Sequence, residues 1–421
     1  MMKKILVITY KFPPMGGIGS RRWVKFAKYF ARKNYQVHVL TIKYPYKDKI
    51  NWSRDVEGVE NIIVHRLNAK YPVWYFKEKK YKISRIIGAI IKRIYNLFFN
   101  VIDKAEKWGE YMLPFAKEII LKEKINNLIV TAPFHSLSYY ASILKTECPD
   151  INLILDYRDP WNDHRKYEYK KSFKKFSLKS KSVKMEFLSV NIADKIITNS
   201  NIMRKNLLKT YHLPENKVVV ITNGFDMDDF TKIRTKSNYD KFNMIYTGEL
   251  GIREGSRIEA VKLLAKAISE LNDDFINQNL ILNFFSDKNV EFFSGSPYFE
   301  VMKRNFNFNS FVSSDKIPEL INEHFCCLSI NAPNDRYAFG AKVFEYMALG
   351  KKIFHIANGG DLYDLLKKKK QYVTDYNVEN FKKILLDLTD DFKNKKFGIV
   401  NYSEFDINKI IVGVEELLKS D

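Results

Sequence analysis

The sequence predicts an α/β protein built from two doubly wound halves, and three observations carry that reading. Lys4–Thr9 is an apolar run of strand type, followed by a loop holding Gly16, Gly17 and Gly19, helical periodicity over Arg22–Arg32 and a second strand at Val37–Thr41. Strand, glycine loop, helix and strand in that order open a parallel sheet. The same grammar restarts at Phe242–Thr247, where Gly248, Gly251 and Gly255 turn the chain into another helix-periodic segment. Between the halves, Thr231–Asp240 is polar and lacks apolar periodicity, as a connection does. The expected domains are therefore 1–235 and 236–404, with a C-terminal helix at about 405–421 packing back on the first.

The first half continues with strands at Ile62–Leu67, Leu128–Thr131, Leu153–Asp156, Asp194–Thr198 and Val218–Ile221. Helices are expected at Trp108–Lys124 and Asn201–Tyr211. Residues 71–103 break this rhythm: Ile83, Ile86, Ile87, Ile90, Ile91, Ile94, Leu97, Phe98 and Val101 recur at helical intervals among lysines and arginines. Such a stripe either lies in a membrane interface or covers the sheet from within. A second basic run, Lys166–Lys184, reads as a solvated helix face or a patch for lipid phosphates. In the second half, Leu280–Ser286, Cys326–Asn331 and Ile353–Ala357 are strands and Ile317–His324 a helix.

At 421 residues, with 46% hydrophobic and 14% aromatic content, the chain is long and apolar enough for folded cores rather than disorder. Cys148, Cys326 and Cys327 show no ligand spacing and cannot all pair within one chain, which implies a reduced, cytosolic compartment. MMKKILVITY is too short in its apolar run for a signal peptide. No stretch reaches the about 18 apolar residues of a membrane span. A formal net charge of +21 is either compositional drift or a match to polyanions. No nucleic-acid module is present, which leaves an anionic membrane surface and phosphates.

The stretch Phe339–Phe354, FGAKVFEYMALGKKIF, reads as a helix burying Val343, Phe344 and Met347. Lys342 falls in its first turn, where a cation opposes the helix dipole unless an anion is also there. Lys342 and the free N–H groups would hold a phosphate, and Glu345 a sugar or ribose diol; an ordinary amphipathic helix gives the same pattern. Arg253 and Arg257, before or at the start of the next helix after Gly248, are arranged to capture a diphosphate. His135 falls just beyond a strand's C-terminal end, where open sheets place ligands. Asp156, Arg158 and Asp159, in DYRDPWND, cannot all be buried unpaired, so Arg158 is expected to pair with a carboxylate and orient its loop. Asp226-Met227-Asp228 belongs to the boundary segment and is discounted as a metal site.

FGAKVFEYMALGKKI resembles the donor-binding segment of GT-B glycosyltransferases of the family-4 type, with Tyr337 where the family's first glutamate stands. PPMGGIGSRR resembles their acceptor-side loop, and DYRDPW the D-[FY]-R-D-P-W signature of one subgroup. The resemblance runs over nearly the whole chain. It implies a GT-B fold, two Rossmann-type domains facing a cleft with the nucleotide sugar on the C-terminal side. Glu345 would then grip the ribose beside Gly248, and Arg253 first, Arg257 second, would neutralise the diphosphate with Lys342. Gly16, Gly17, Arg21 and Arg22 would form the acceptor-side loop. His135 would orient or deprotonate the acceptor hydroxyl, with Asp159 held ionised by Arg158. No metal and no cofactor are implied beyond the donor, a uridine diphosphate sugar. The implied activity is sugar transfer to a saccharide or lipid-linked saccharide in surface-polysaccharide synthesis, by a cytoplasmic, peripherally membrane-associated enzyme. A nucleotide-sugar epimerase of the same fold and a non-catalytic basic membrane- or RNA-binding protein are the alternatives.

Overall fold

A computed structural model describes residues 2–44, 48, 52–70, 87, 90, 101–162, 173–251, 255–313 and 315–419, and the chain divides into two compact units. The first comprises Met1–Asn199, Met203–Ile221 and Ile411–Asp421. Its strands are β1 (Lys4–Ile8), β2 (Gln36–Ile42), β3 (Ile62–Leu67), β4 (Asn127–Ala132), β5 (Asn152–Tyr157), β6 (Lys195–Thr198) and β7 (Val218–Val220). They form one parallel sheet in the order β3-β2-β1-β4-β5-β6-β7. Ile5 sits opposite Val37 of β2 on one side and Asn127 of β4 on the other. Successive strand residues point to opposite faces, and Ile5, Leu6 and Ile8 are all fully buried. Both faces are therefore covered, which is why these strands read as continuous apolar runs. The strand order reverses between β1 and β4, the place where such sheets open a crevice at their C-terminal ends.

The second unit comprises Ser200–Ile202 and Thr222–Ile410. Its strands are β8 (Asn243–Thr247), β9 (Ile281–Phe285), β10 (Phe306–Asn309), β11 (Cys326–Ile330), β12 (Lys352–Ile356) and β13 (Tyr372–Thr374). Their order, β10-β9-β8-β11-β12-β13, repeats the same winding, with its switch point between β8 and β11. One buried cluster is rich in phenylalanine, including Phe242, Phe284, Phe306, Phe325 and Phe381. Another gathers Val343, Phe344, Tyr346 and Met347 of the helix Ala341–Ala348 around Cys327, Phe339 and Phe405. The apolar stripe expected on that helix is thus its packed face.

The units divide at Ile221, not near residue 235. The reason is local pairing: Phe225 N–H donates to Phe405 O at 3.0 Å and Ile407 N–H to Phe225 O at 2.8 Å, so 222–230 is tied into the second unit. The single helix expected at 405–421 is instead two short ones, Ile407–Ile410 and Val412–Glu415, and only the part from Ile411 belongs to the first unit. There the Asn152 side-chain amide donates to Leu417 O at 2.8 Å, and Lys419 N–H to Asn127 Oδ1 at 2.8 Å. Most of the Ile83–Val101 stripe lies outside the described residues; Ile87 and Ile90 are both about half exposed, at 51% and 52%.

At the C-terminal end of β5 the Asp156 carboxylate is buried, and its Oδ2 accepts three hydrogen bonds. They come from Arg22 Nε at 3.2 Å, Trp23 Nε1 at 2.6 Å and Thr131 Oγ1 at 3.1 Å. Arg22 Nη2 also donates to Ile221 O at 2.9 Å. Arg22, expected in the acceptor-side loop, instead lies in the helix Ile18–Arg32, with its side chain only 3% exposed and bonded to Asp156. Removing one partner of such a pair strands a buried charge, which costs about 3–5 kcal/mol, whereas apolar replacement of both costs far less. Asp156→Leu should therefore lower the unfolding free energy by roughly that amount, and adding Arg22→Met should recover part of it. Chemical denaturation of both variants checks this; equal losses would mean the carboxylate acts through Trp23 and Thr131 alone.

Candidate functional site

In the second unit the candidate residues gather at the C-terminal ends of β8 and β11. Gly248 follows β8 with φ of 154°, and a Cβ there would come within 3.1 Å of the Tyr246 hydroxyl and 3.2 Å of Lys342 Nζ. Glycine is what lets the ammonium lie against the backbone at this turn. Gly340 precedes the helix Ala341–Ala348, and Lys342 and Glu345, three residues apart, share one of its faces. Burial lowers the Lys342 pKa and nearby Arg257 adds to this, while the Glu345 and Glu249 carboxylates pull the other way. An ammonium in this state gains from any anion brought beside it.

Arg257 immediately precedes the helix Ile258–Leu271. Its Nε donates to Ile330 O at 2.9 Å and its Nη1 reaches Glu249 O at 3.5 Å, which fixes it between the two strand ends. Arg253 lies outside the described residues. Nearby, Ser286 N–H donates to Asn309 O at 3.1 Å and Leu250 N–H to Asp287 Oδ1 at 2.9 Å, joining the loops after β8, β9 and β10. The structure therefore brings Gly248, Arg257, Lys342 and Glu345 together. Their common chemistry is two cations, a carboxylate and a tight backbone turn, which suits a phosphate attached to a diol-bearing group.

In the first unit a second group forms beyond the ends of β1, β4 and β5. Gly16 N–H donates to Asp48 Oδ2 at 2.7 Å, and Gly17 precedes the helix Ile18–Arg32. Arg158 does not rely on its neighbouring carboxylate as expected. Its Nε donates to Ala132 O and its Nη1 to Gly19 O, both at 2.7 Å. The charge of Asp156 acts on it more strongly than that of Asp159. Buried in the sheet end, the guanidinium needs fixed acceptors, and the two carbonyls supply them. Arg21 lies over the Trp52 ring at 4.9 Å. The His135 imidazole is stacked on Trp161 at 5.4 Å and meets Tyr157 edge-on at 5.3 Å, at the start of the helix Ser136–Glu147.

Lys11 is the group the sequence analysis missed. A Cβ on Gly19 would lie 3.1 Å from its Cδ, and burial together with Arg158 lowers its pKa against the pull of Asp48. Its one available signal was position, immediately beyond a strand at the switch point. Asp226, discounted as a metal ligand, caps a turn by accepting from Asp228 N–H at 3.0 Å.

The family model described as Glycosyltransferase Family 4 matches residues 15–229. No curated protein sequence matches the chain. Among solved structures, a glycosyltransferase from Rickettsia africae is similar at 14% identity and a TM-score of 0.59, covering 99% of this chain and 97% of that one. The lipopolysaccharide outer core galactosyltransferase WaaB has 10% identity and a TM-score of 0.60, covering 98% of both chains. The UDP-GlcNAc 2-epimerase from Neisseria meningitidis, solved bound to UDP-GlcNAc, has 11% identity and a TM-score of 0.54, covering 98% and 99%. At these identities the likeness is one of fold, and that fold is GT-B. With a family model matching more than half its length, the chain belongs to glycosyltransferase family 4.

Proposed function

We propose that the chain transfers a sugar from a uridine diphosphate sugar to a saccharide or lipid-linked saccharide acceptor in surface-polysaccharide synthesis. The observation that carries this is the Lys342 ammonium against Gly248, with Arg257 and Glu345 beside it. In this reading Glu345 accepts hydrogen bonds from the ribose diol. Lys342 and Arg257, with Arg253, neutralise the leaving diphosphate as preorganised cations in place of a metal. Configuration at the sugar is retained, as in most of the family the sequence resembles.

On the acceptor side, His135 is held by Trp161 and Tyr157 at a strand end, which supports a role in orienting or deprotonating the acceptor hydroxyl. Asp159, beside Arg158, serves as an orienting group. Lys11 and Arg158 next to the glycine loop and a helix start support a phosphate-bearing, lipid-linked acceptor. Epimerases share the fold, but the family model covers the acceptor loop and the Arg158–Asp159 stretch, which favours transfer.

Attachment to the cytoplasmic face of an anionic membrane belongs to the same proposal. The net charge of +21 and the exposed Ile87 and Ile90, both in helical conformation, support it. No helix among the described residues is long and apolar enough to cross a membrane. The protein should co-sediment with anionic vesicles and be released by high salt, because exposed charges are screened; equal recovery on neutral vesicles would contradict this.

Release of uridine diphosphate from a panel of its sugars measures the activity directly. Turnover should survive a chelator, and Lys342→Ala should lose about 10²-fold, the scale of removing one preorganised donor. Glu345→Ala should weaken donor binding with the melting temperature nearly unchanged. A strict need for a divalent ion, or unfolding of Glu345→Ala, would overturn these roles.

A further inference from the structure

The first unit contains a cavity of about 190 Å³ that adjoins the His135 group, sharing Tyr157 and Trp161 with it. It is set between the loop after β5, the helix Phe173–Ile192 and the helix Asn201–Tyr211, and is lined by Trp161, Asn162, Glu186, Leu207, Thr210 and Tyr211 among others. A liquid water occupies about 30 Å³, so the space would hold roughly six waters, or one sugar ring. It is smaller than the roughly 300 Å³ at which sites for drug-sized ligands begin.

Its lining is rigid. The Asn162 side-chain amide donates to Glu186 Oε2 at 2.6 Å and to Ser182 O at 3.1 Å, and Ser182 Oγ donates to Asn162 Oδ1 at 2.8 Å. The Tyr211 hydroxyl donates to the same Glu186 oxygen at 2.7 Å. The loop after β5 and both helices are therefore joined around one buried carboxylate. Burial of an ionic group with a polar fringe and a void beside it costs stability, which a purely structural wall of leucines would not. The Trp161 indole N–H adds a second observation: the residue is 95% buried and its N–H has no acceptor among the described residues. Buried donors are nearly always satisfied, and this one belongs to a residue that lines the cavity.

Aromatic surface with a few convergent carboxylate, amide and hydroxyl groups is the lining that suits a polyhydroxylated ring: apolar faces against C–H groups, polar rim against hydroxyls. We propose that this cavity is a subsite for one pyranose unit of the acceptor, with Trp161, Glu186 and Asn162 as its contacts. The inference rests on the transferase reading above. It assigns the recognition of acceptor chain composition to a place apart from the reacting hydroxyl. Trp161 links the two, because its ring stacks on the His135 imidazole.

The test uses the full chain with methyl pyranosides of glucose, galactose, mannose and N-acetylglucosamine as probes, followed by saturation-transfer NMR. Uridine diphosphate binding by calorimetry runs in parallel. At least one glycoside should bind. Thr210→Trp, which places bulk at an exposed rim position, should abolish that binding. Trp161→Phe, which keeps a ring and removes the N–H, should weaken it about tenfold, and neither variant should change nucleotide affinity. If no glycoside binds while the nucleotide does, the subsite is wrong and the transferase reading stands. Glycoside binding unchanged in both variants also overturns it. Absence of nucleotide binding instead strikes the transferase reading, whatever the glycosides do.

Discussion

The Asp156 carboxylate is the constraint on which the first unit depends. A charge at the end of a fully buried strand must be met by donors, and Arg22, Trp23 and Thr131 all converge on one of its oxygens. Those donors come from the first helix and from β4, so one side chain fixes how three elements meet at the sheet's switch point. Arg158, two residues further on, is placed by the same arrangement. With Asp156 already engaged by Arg22, it reaches across to the carbonyls of Ala132 and Gly19. The glycine loop, the β4 end and the β5 end are thereby tied into one surface, on which Lys11 and His135 are carried.

The second unit solves a different electrostatic problem. Its cations at the strand ends are not cancelled by a single buried carboxylate. Arg257 is anchored through carbonyls, and Lys342 is left partly buried, its charge disfavoured by desolvation and by Arg257. Glu345 and Glu249 offset part of this, and an anion brought beside the ammonium would add to their effect. Gly248 makes the arrangement possible by removing the Cβ that would meet the ammonium. The contrast is between Arg22, which donates to one buried carboxylate, and Lys342, on which Glu345 and Glu249 act against desolvation and Arg257.

Much of this was legible in the residues. Buried parallel strands are continuous apolar runs, so β1, β3, β5 and β8 could be read nearly to their ends, and Ile62–Leu67 matches in full. The helix carrying Lys342 and Glu345 was legible because its packed face, Val343, Phe344 and Met347, follows helical spacing. β10 and β13 escaped notice because FNFN and YVT are too short to establish a period. Arg22 was grouped with the glycine loop because an arginine beside glycines gives no sign of a carboxylate 134 residues away. The cavity around Glu186 was invisible too, since its walls come from three segments with no common motif.

The central claim is that the Gly248–Lys342–Glu345 group holds a nucleoside diphosphate. Calorimetric titration of the chain with uridine diphosphate and with uridine monophosphate addresses it without any assumption about the acceptor. If Lys342 and Arg257 grip the second phosphate, losing it removes a charge-assisted contact of about 1.5–3 kcal/mol. The diphosphate should therefore bind in a one-to-one ratio and at least about tenfold more tightly than the monophosphate. Equal affinity for the two nucleotides, or no heat from either, would contradict the account.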